Sequence, residues 1–318
     1  MEKAHAGIAT SELVRDLNRA FYDVEAPQYD ARHPEVVQGA CSLWLNQLFP
    51  CMEQNVSLNS PRIFLDLGAG TGFVSDLLLP RLTQGDRLFC CDLSPAMLTE
   101  AQRKLKGRGR VVGYCGVDAA RLPFADHSIT IITMNALLHH SAEYGQILAE
   151  CKRVIKDGGC LVIAHEPNRA FFKSPLVRIA AFLYKLAGQG KTINMEMAQS
   201  IRHNLQKHRE ITGPMTADKI LGMVEFHSPV EQSRLGVELD KGFVPEELIR
   251  QYLPEYGILL LKTYTTAFER PLFTKNGVTR WIANRLKSLL GARGNHFCLV
   301  AQKGLIVQEK HTRAGCRF

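Results

Sequence analysis

The stretch at residues 62–73, RIFLDLGAGTGF, constrains the fold more than any other part of the chain. Its first half is a short apolar run interrupted by Asp66, which is typical of a parallel strand covered on both faces. Gly68, Gly70 and Gly72 follow at a spacing of two, and the apolar stripe of a helix comes next. A strand, a glycine turn and a helix N-terminus predict a nucleotide-binding corner.

The spacing of the glycines indicates which nucleotide fits. A dinucleotide fingerprint, GxGxxG, needs its third glycine at position 73, where this chain has Phe73. Asp66 lies at the strand end that a pyrophosphate would approach, and its carboxylate would repel phosphate and attract a cationic amino group. A purely structural glycine turn is the alternative. The pattern favours a positively charged nucleoside without phosphate.

A second motif lies at a matching distance. Residues 87–92, RLFCCD, predict the second strand, which ends in Asp92. Asp92 comes about 20 residues after the glycine turn, the separation at which an acid binds ribose hydroxyls in this type of fold. Ser94 and Pro95 then predict the start of a helix. Two motifs at this spacing support each other.

Further strands are predicted over 111–117, 128–134 and 160–164. The carboxyl ends of parallel strands line the ligand crevice, so the polar residues that follow them are candidate site residues. Histidine titrates near neutrality and can deprotonate a hydroxyl. The candidate catalytic residues are His139, His140, His165 and Glu166. For each of them a role in lining the cofactor or capping a turn is an open alternative.

These motifs resemble those of the class I methyltransferases that use S-adenosylmethionine (SAM), especially the small-molecule enzymes of ubiquinone and menaquinone biosynthesis. The resemblance rests on the glycine turn, on CDLSPAML at 91–98, on LPFAD at 122–126 and on RVIKDGGCLVIA at 153–164. In the last motif Asp157 replaces the family's usual proline. The D/N-P-P-[YF] motif of adenine-N6 and glutamine methyltransferases is absent after the fourth strand, which argues against those reactions.

The resemblance implies an α/β fold, with a doubly wound, mostly parallel seven-stranded sheet of order 3-2-1-4-5-7-6, N-terminal helices and a helical cap insertion. It also implies SAM as cofactor. Tyr29 would close over it, Asp66 would support its amino end, Asp92 would hold the ribose, and Asp118 with Ala119 would frame the adenine. The cofactor-binding residues so implied are Tyr29, Asp66, Gly68, Ala69, Gly70, Gly72, Asp92, Leu93, Met97, Asp118, Ala119 and Asn135.

The same resemblance divides the chain. We expect a helical lid segment at 1–60, the SAM-binding core at 61–168, a cap insertion at 169–242, core completion with strands 6 and 7 at 243–303, and a loose tail at 304–318. The insertion replaces what is usually a short connection, and helices are predicted within it at 194–209 and 215–225. Its large apolar side chains indicate either a hydrophobic or amphipathic substrate or simple packing of the cap.

Composition adds weaker constraints. The net charge of +8 suits an anionic partner, but no nucleic-acid-binding motif accompanies it. The nine cysteines include no CxxC pair, so no metal site is predicted and free thiols are expected. No signal core or run of ~20 apolar residues is visible, which predicts a soluble, cytoplasmic protein. A basic amphipathic helix predicted at 277–290 either touches a membrane surface or covers the sheet.

We therefore predict a SAM-dependent methyltransferase that transfers a methyl group in line to an O, C or N atom of a small hydrophobic or amphipathic molecule. The alternatives are an RNA or protein methyltransferase and a non-catalytic SAM-binding protein. An NAD-dependent oxidoreductase is a more distant alternative.

Overall fold

The structure is a computed structural model, and it describes residues 2–37, 40–56, 61–108, 111–175, 195–207, 216–229, 240–265, 277, 281, 285 and 294–304. Its centre is a seven-stranded sheet of order β3-β2-β1-β4-β5-β7-β6, which confirms the predicted fold class. The strands are β1 Ile63–Leu67, β2 Arg87–Asp92, β3 Val111–Gly116, β4 Ile129–Asn135, β5 Ile155–Pro167, β6 Tyr256–Tyr264 and β7 His296–Lys303. Only β7 among them runs antiparallel to its neighbours.

The first strand lies at the point where the strand order reverses. It pairs in parallel with β2 on one side and β4 on the other. Its side chains alternate between two buried cores: Phe64 packs in one core, and Leu65 and Leu67 pack in the other. Because both faces are covered, the strand is apolar along most of its length. The crevice above its carboxyl end is the expected ligand site.

Helices cover both faces of the sheet. In the described residues they are α1 Glu2–Glu25, α2 Tyr29–Arg32, α3 Pro34–Val37, α4 Cys41–Leu43, α5 Phe49–Asn55, α6 Phe73–Leu78, α7 Pro95–Leu105, α8 Tyr144–Val154, α9 Arg169–Phe172, α10 Met195–Gln206, α11 Ala217–Val224 and α12 Pro245–Tyr252. Tighter 3-10 turns occur at Ala26–Gln28, Leu79–Arg81 and Leu138–His140, and a π-helical turn occurs at Trp44–Leu48.

The sequence also predicts one helix over 35–54 and another over 143–156, the second ended by Asp157-Gly158-Gly159. Both predictions were wrong in their bounds. The single helix expected over 35–54 is broken into α3, α4, the π-helical turn Trp44–Leu48 and α5. Pro50 lacks a backbone N–H, and the helix widens into the π-helical turn directly before the turn of helix that contains it.

The helix expected over 143–156 ends at Val154, and β5 begins at the next residue. The Asp157-Gly158-Gly159 segment lies inside β5 and does not cap the helix. A Cβ atom at Gly159 would lie 2.7 Å from the carbonyl oxygen of Thr130, so this glycine permits a close approach between β5 and β4. The glycines serve strand packing at this point.

The N-terminal helix packs against the helices α10 and α11. Leu17 and Phe21 of α1, Ile201 and Leu205 of α10 and Ile220 of α11 are all buried together in a third apolar core. The predicted helices at 194–209 and 215–225 are confirmed, with narrower bounds. Two segments that are distant in sequence therefore form one layer at the ligand side of the sheet.

The remaining predictions concern membranes, thiols and the C-terminal segments. None of the helices in the described ranges is long and apolar enough to cross a membrane. The eight cysteines of those ranges are free thiols. The helix predicted at 277–290 is described at only three residues, and the tail beyond residue 304 lies outside the described residues.

The amino ends of β1 and β2 are joined by a buried ion pair. Arg62 donates from Nη2 to Asp86 Oδ2 over 2.6 Å, and its backbone N–H donates to Asp86 Oδ1 over 2.7 Å. Thr83 adds two further donors to the same carboxylate. Burial raises the pKa of Asp86, but these hydrogen bonds outweigh it and hold the pKa at about 2.

We expect Asp86→Asn to lower the free energy of unfolding by about 3–5 kcal/mol at pH 7, because it leaves the buried Arg62 without its counter-charge. The half-exposed pair of Asp76 with Arg108 offers the control, and Asp76→Asn should cost less than about 1 kcal/mol. Urea unfolding measures both.

The contribution of Asp86 to the free energy of unfolding depends on pH, and the sign of this dependence follows from its pKa. Folding lowers the pKa of Asp86 from 3.8 to about 2, so its contribution is present above pH 4 and is lost as the pH falls toward 2. The stability gap between wild type and Asp86→Asn should narrow over that window. Equal stability of the two proteins at pH 7 would contradict this account.

Candidate active site

A cavity of about 330 Å³ lies at the carboxyl ends of β1 and β2, beside the loops that follow β3 and β4 and under α1. Its size is in the range of small-molecule sites. The predicted cofactor residues that line it are Tyr29, Gly68, Gly70, Asp92, Leu93, Met97, Asp118, Ala119 and Asn135. The structure thus brings together residues from five separate segments of the chain.

The glycine turn forms the floor of the cavity. Gly68 has a φ of +69°, and a Cβ atom there would lie 2.9 Å from Leu137 Cδ1. Gly70 has a φ of +53° and lines the cavity, with no atom within 4 Å of the position a Cβ would take. The first glycine is therefore required by packing, and the second leaves space for a ligand against the backbone. Ala69 and Gly72 are not among the lining residues.

The Asp92 carboxylate joins the glycine turn to the second strand. Gly70 N–H donates to its Oδ2 over 2.8 Å, and Ser94 N–H donates to its Oδ1 over 2.9 Å. Burial raises the pKa of Asp92, and the two backbone donors offset part of that rise. The carboxylate lines the cavity with lone pairs left to accept hydroxyl groups.

Asp66 lies behind the turn and not in the cavity. Its side chain is buried, where it accepts from Ser75 Oγ over 2.6 Å and from Thr133 Oγ1 over 2.9 Å. Burial raises its pKa to about 6, although the two hydroxyl donors oppose the rise. Asp66 can therefore influence a ligand by its charge but not by direct contact.

Carboxylates of the N-terminal segment fasten it over the glycine turn. Asp23 accepts from Ser94 Oγ over 2.6 Å, and Asp30 accepts from Thr71 Oγ1 over the same distance. At the other end of the cavity, Arg15 Nη1 lies 3.4 Å from Asp118 Oδ2. These contacts hold α1 across the opening.

The loop after β4 carries the polar residues at the inner end of the cavity. Asn135 Oδ1 accepts from Trp44 Nε1 over 3.0 Å, and His140 lines the cavity in a 3-10 turn. The hydroxyl of Tyr22 lies 3.0 Å from His140 Nε2. Burial and the neighbouring His139 lower the pKa of His140 to about 4, which keeps it neutral at physiological pH.

Glu166 holds this loop in place. Its carboxylate is fully buried and accepts the backbone N–H groups of Leu137, Leu138 and His139 over 2.8, 2.7 and 3.1 Å. It also lies 2.9 Å from His139 Nδ1. Burial lowers the pKa of His139, but the charges of Glu166 and Glu225 outweigh it and leave the pKa above its usual value.

Of the four candidate catalytic residues, only His140 lines the cavity. His139 and Glu166 support the loop beneath it. His165 is buried away from the cavity, with its ring stacked on His296 at 3.9 Å and its Nδ1 3.2 Å from the Tyr264 hydroxyl. The left-handed backbone of His165, with φ at +60°, turns the end of β5 toward that packing.

Several residues at the cavity are not among the site residues predicted from the sequence. Arg15, Asn18 and Tyr22 line the cavity from α1, and Glu225 approaches the two histidines from α11. The aromatic-acidic pairs at 22–23 and 29–30 both resemble the lid segment of the family, and of the two tyrosines Tyr29 is the better match. No local pattern links position 225 to the loop after β4. Tertiary contacts bring them together, through the packing of α11 against α1 and the hydrogen bond between His140 Nδ1 and the Val224 carbonyl oxygen.

Comparison with known proteins agrees with this geometry. A family model described as "Methyltransferase domain" matches residues 65–163. The demethylmenaquinone methyltransferase of Thermus thermophilus is 32% identical over 142 residues, which cover 45% of this chain and 62% of that protein. Its counterpart in Paenarthrobacter aurescens is 32% identical over 176 residues, or 55% of this chain and 63% of that protein.

A third relative matches over a longer stretch of the chain, at lower sequence identity. The ubiquinone/menaquinone biosynthesis C-methyltransferase of Neisseria meningitidis is 22% identical over 240 residues, which cover 71% of this chain and 93% of that protein. The chain spans only 62% and 63% of the length of the first two relatives. The matched domain and the sheet order agree that residues 65–163 form a methyltransferase domain, and over part of its length the chain is similar to methyltransferases of ubiquinone and menaquinone biosynthesis.

Proposed function

We propose that this protein transfers a methyl group from SAM to a small hydrophobic or amphipathic acceptor. The observation that carries the proposal is a single cavity, which joins the Gly70–Asp92 corner to the loop that carries His140. A nucleoside bound at the Gly70–Asp92 corner and an acceptor bound beside His140 would lie next to each other in the same cavity.

The residues present fit the cofactor. The open space at Gly70 admits a ligand against the backbone, and the Asp92 carboxylate can accept two ribose hydroxyls. Leu93 and Met97 offer apolar contact beside Asp118 for an adenine ring. When bound, SAM supplies an electrophilic methyl group on a cationic sulfur. Asp66 behind the turn favours that positive charge.

The acceptor would lie between α1 and the loop after β4. Val14, Leu137 and Ile147 give this end of the cavity an apolar wall, and Asn18 and His140 add polar groups. The protein's main contribution is to hold the acceptor atom, the methyl group and the sulfur in line, which can supply up to ~7–11 kcal/mol. The names of the relatives point to a quinone-type ring as the first acceptor to test.

The enclosure favours a small molecule over RNA or protein. α1 lies over the cavity, and its Arg15 reaches Asp118 on the opposite rim. We propose that α1, α10 and α11 together form the cap, since they share one apolar core. A folded macromolecule would have to displace that layer to present an acceptor atom to the site.

Cofactor binding is tested with three variants that each replace a carboxylate by an amide. Asp92→Asn should weaken SAM binding about 10–100-fold, since it removes charge-assisted hydrogen bonds worth roughly 1.5–3 kcal/mol. Asp66→Asn should weaken it roughly threefold to tenfold, because its charge acts at a distance. Asp76→Asn, on the outside of α6, should have no effect. Calorimetric titration measures all three, and unchanged affinity in Asp92→Asn would contradict the proposed corner.

The affinity for SAM should also depend on pH through Asp66. The pKa of Asp66 is about 6, so the carboxyl gains a proton and loses its charge as the pH falls from 7.5 to 5.5. A cationic ligand should therefore bind several-fold more weakly at pH 5.5 in wild type. The comparison is with Asp66→Asn, whose titrations should show a smaller pH dependence. If the affinity for SAM depended on pH equally in wild type and in Asp66→Asn, a titrating group other than Asp66 would be responsible.

The acceptor class is tested with radiolabelled SAM and the purified full chain. Demethylmenaquinone in its reduced form is the first acceptor, and total lipid, RNA and protein fractions are offered in parallel. We expect label in the quinone or the lipid fraction, and Asp92→Asn should abolish it at limiting SAM. Label confined to RNA or protein would replace the proposed acceptor class, and binding of SAM without any labelled product would favour a non-catalytic role.

A further inference from the structure

Three metal-ligating side chains converge at the inner end of the cavity. His139, His140 and Glu225 each offer a ligand atom, and these atoms lie within 4.8 Å of one another. We propose that this His–His–Glu cluster binds a divalent transition ion of the zinc class through two imidazole nitrogens and one carboxylate oxygen. The inference goes beyond methyl transfer, and the binding of the ion does not depend on that function.

The outer nitrogen of each histidine is already engaged. His139 Nδ1 lies 2.9 Å from the Glu166 carboxylate, and His140 Nδ1 lies 2.8 Å from the carbonyl oxygen of Val224. Both partners can only accept, so both histidines donate from Nδ1. In the neutral form of each histidine the lone pair is then on Nε2. At His140 this nitrogen accepts from the Tyr22 hydroxyl over 3.0 Å, and a bound ion would take the place of that hydroxyl. Histidines that bind metals show this arrangement, in which a carboxylate or a carbonyl fixes the tautomer.

The inner nitrogen of His139 faces a second carboxylate. His139 Nε2 lies 3.7 Å from Glu225 Oε2. A lone pair on Nε2 would repel that carboxylate, so either a proton on Nε2 or a metal ion must lie between the two atoms. In a tetrahedral zinc site, bonds of about 2.0–2.2 Å put neighbouring N and O ligand atoms about 3.4 Å apart. Glu225 is partly exposed at the end of α11, which leaves its side chain room for the remaining movement.

The donor set selects the class of ion. Imidazole nitrogens suit zinc, iron, nickel and copper, whereas magnesium and calcium prefer oxygen ligands alone. The 3.7 Å separation of His139 Nε2 and Glu225 Oε2 is close to the roughly 3.4 Å expected between two ligand atoms of a tetrahedral zinc ion. Three protein ligands leave the fourth position of a tetrahedral ion open, as in catalytic zinc sites.

The open position would face the cavity. His140 and Tyr22 both line the cavity, and the Tyr22 hydroxyl lies 3.0 Å from His140 Nε2, where it marks the space beside that nitrogen. A bound ion would supply a Lewis acid that can hold and acidify an acceptor oxygen. This role toward the acceptor rests on the proposed methyl transfer. His140 is too weak a base to deprotonate an acceptor readily, but it could still serve as a metal ligand.

The test uses the tag-free full chain, since a polyhistidine tag binds the same ions. The protein is stripped with a chelator, and Zn²⁺ binding is measured by competition with a chromophoric chelator. Co²⁺ is then used as a spectroscopic probe. We expect one ion per chain and the visible absorption of four-coordinate cobalt, without the thiolate-to-cobalt charge-transfer band that cysteine ligands would give.

Two carboxylate variants on α11 form the matched pair. Glu225→Gln should weaken Zn²⁺ binding at least tenfold, and Asp218→Asn, on the first turn of the same helix, should leave it unchanged. His139 is not varied, because its imidazole contacts Glu166 in the support of the loop. Circular dichroism checks that both variants are folded.

Two results would overturn the proposal. Absence of ion uptake by wild type would mean that His139 is a cation held between two carboxylates, and equal uptake by wild type and Glu225→Gln would place the ion elsewhere. Neither readout involves SAM, so failure of the metal site leaves the methyltransferase assignment standing. Failure of SAM binding would likewise leave the metal result intact.

Discussion

The fully buried carboxylate of Glu166 is the interaction on which the inner half of the site depends. A charge without partners in such a place would cost several kcal/mol, and Glu166 avoids that cost by accepting from three backbone N–H groups and facing the imidazole of His139. All of these groups belong to the loop after β4. The loop therefore has one conformation that satisfies the carboxylate, and that conformation turns His140 toward the cavity.

The outer half of the site has a comparable anchor in Asp92. Its two carboxylate oxygens are bound to the glycine turn and to the start of α7, so the turn, the second strand and the helix are held in register around the cavity. Asp23 then ties α1 to the same helix through Ser94. A preformed floor and a tethered cover follow from a few hydrogen bonds at strand ends.

Much of this could be predicted from the sequence, because the relevant signals are local. The buried strands β1, β2 and β4 appear as apolar runs, and the cofactor corner follows from glycines and acids at short, regular spacing. The inner half could not be predicted in the same way. Which of the adjacent His139 and His140 faces the cavity depends on a 3-10 turn, and the approach of Glu225 depends on helix packing across the fold. Asp66 was placed by its type of side chain, whereas strand alternation and two hydroxyl donors turn it away from the cavity.

The shared core of α1, α10 and α11 has a consequence for the order in which the molecule can assemble. During synthesis the ribosome releases α1 first, with Leu17 and Phe21 exposed, long before Ile201 and Ile220 exist to cover them. The sheet can begin to form from β1 onward in the meantime, since β1 and β2 are close in sequence. Leu17 and Phe21 of α1 therefore stay without their apolar partners until α10 and α11 have been made, and the nascent chain must keep that surface from aggregating in the meantime.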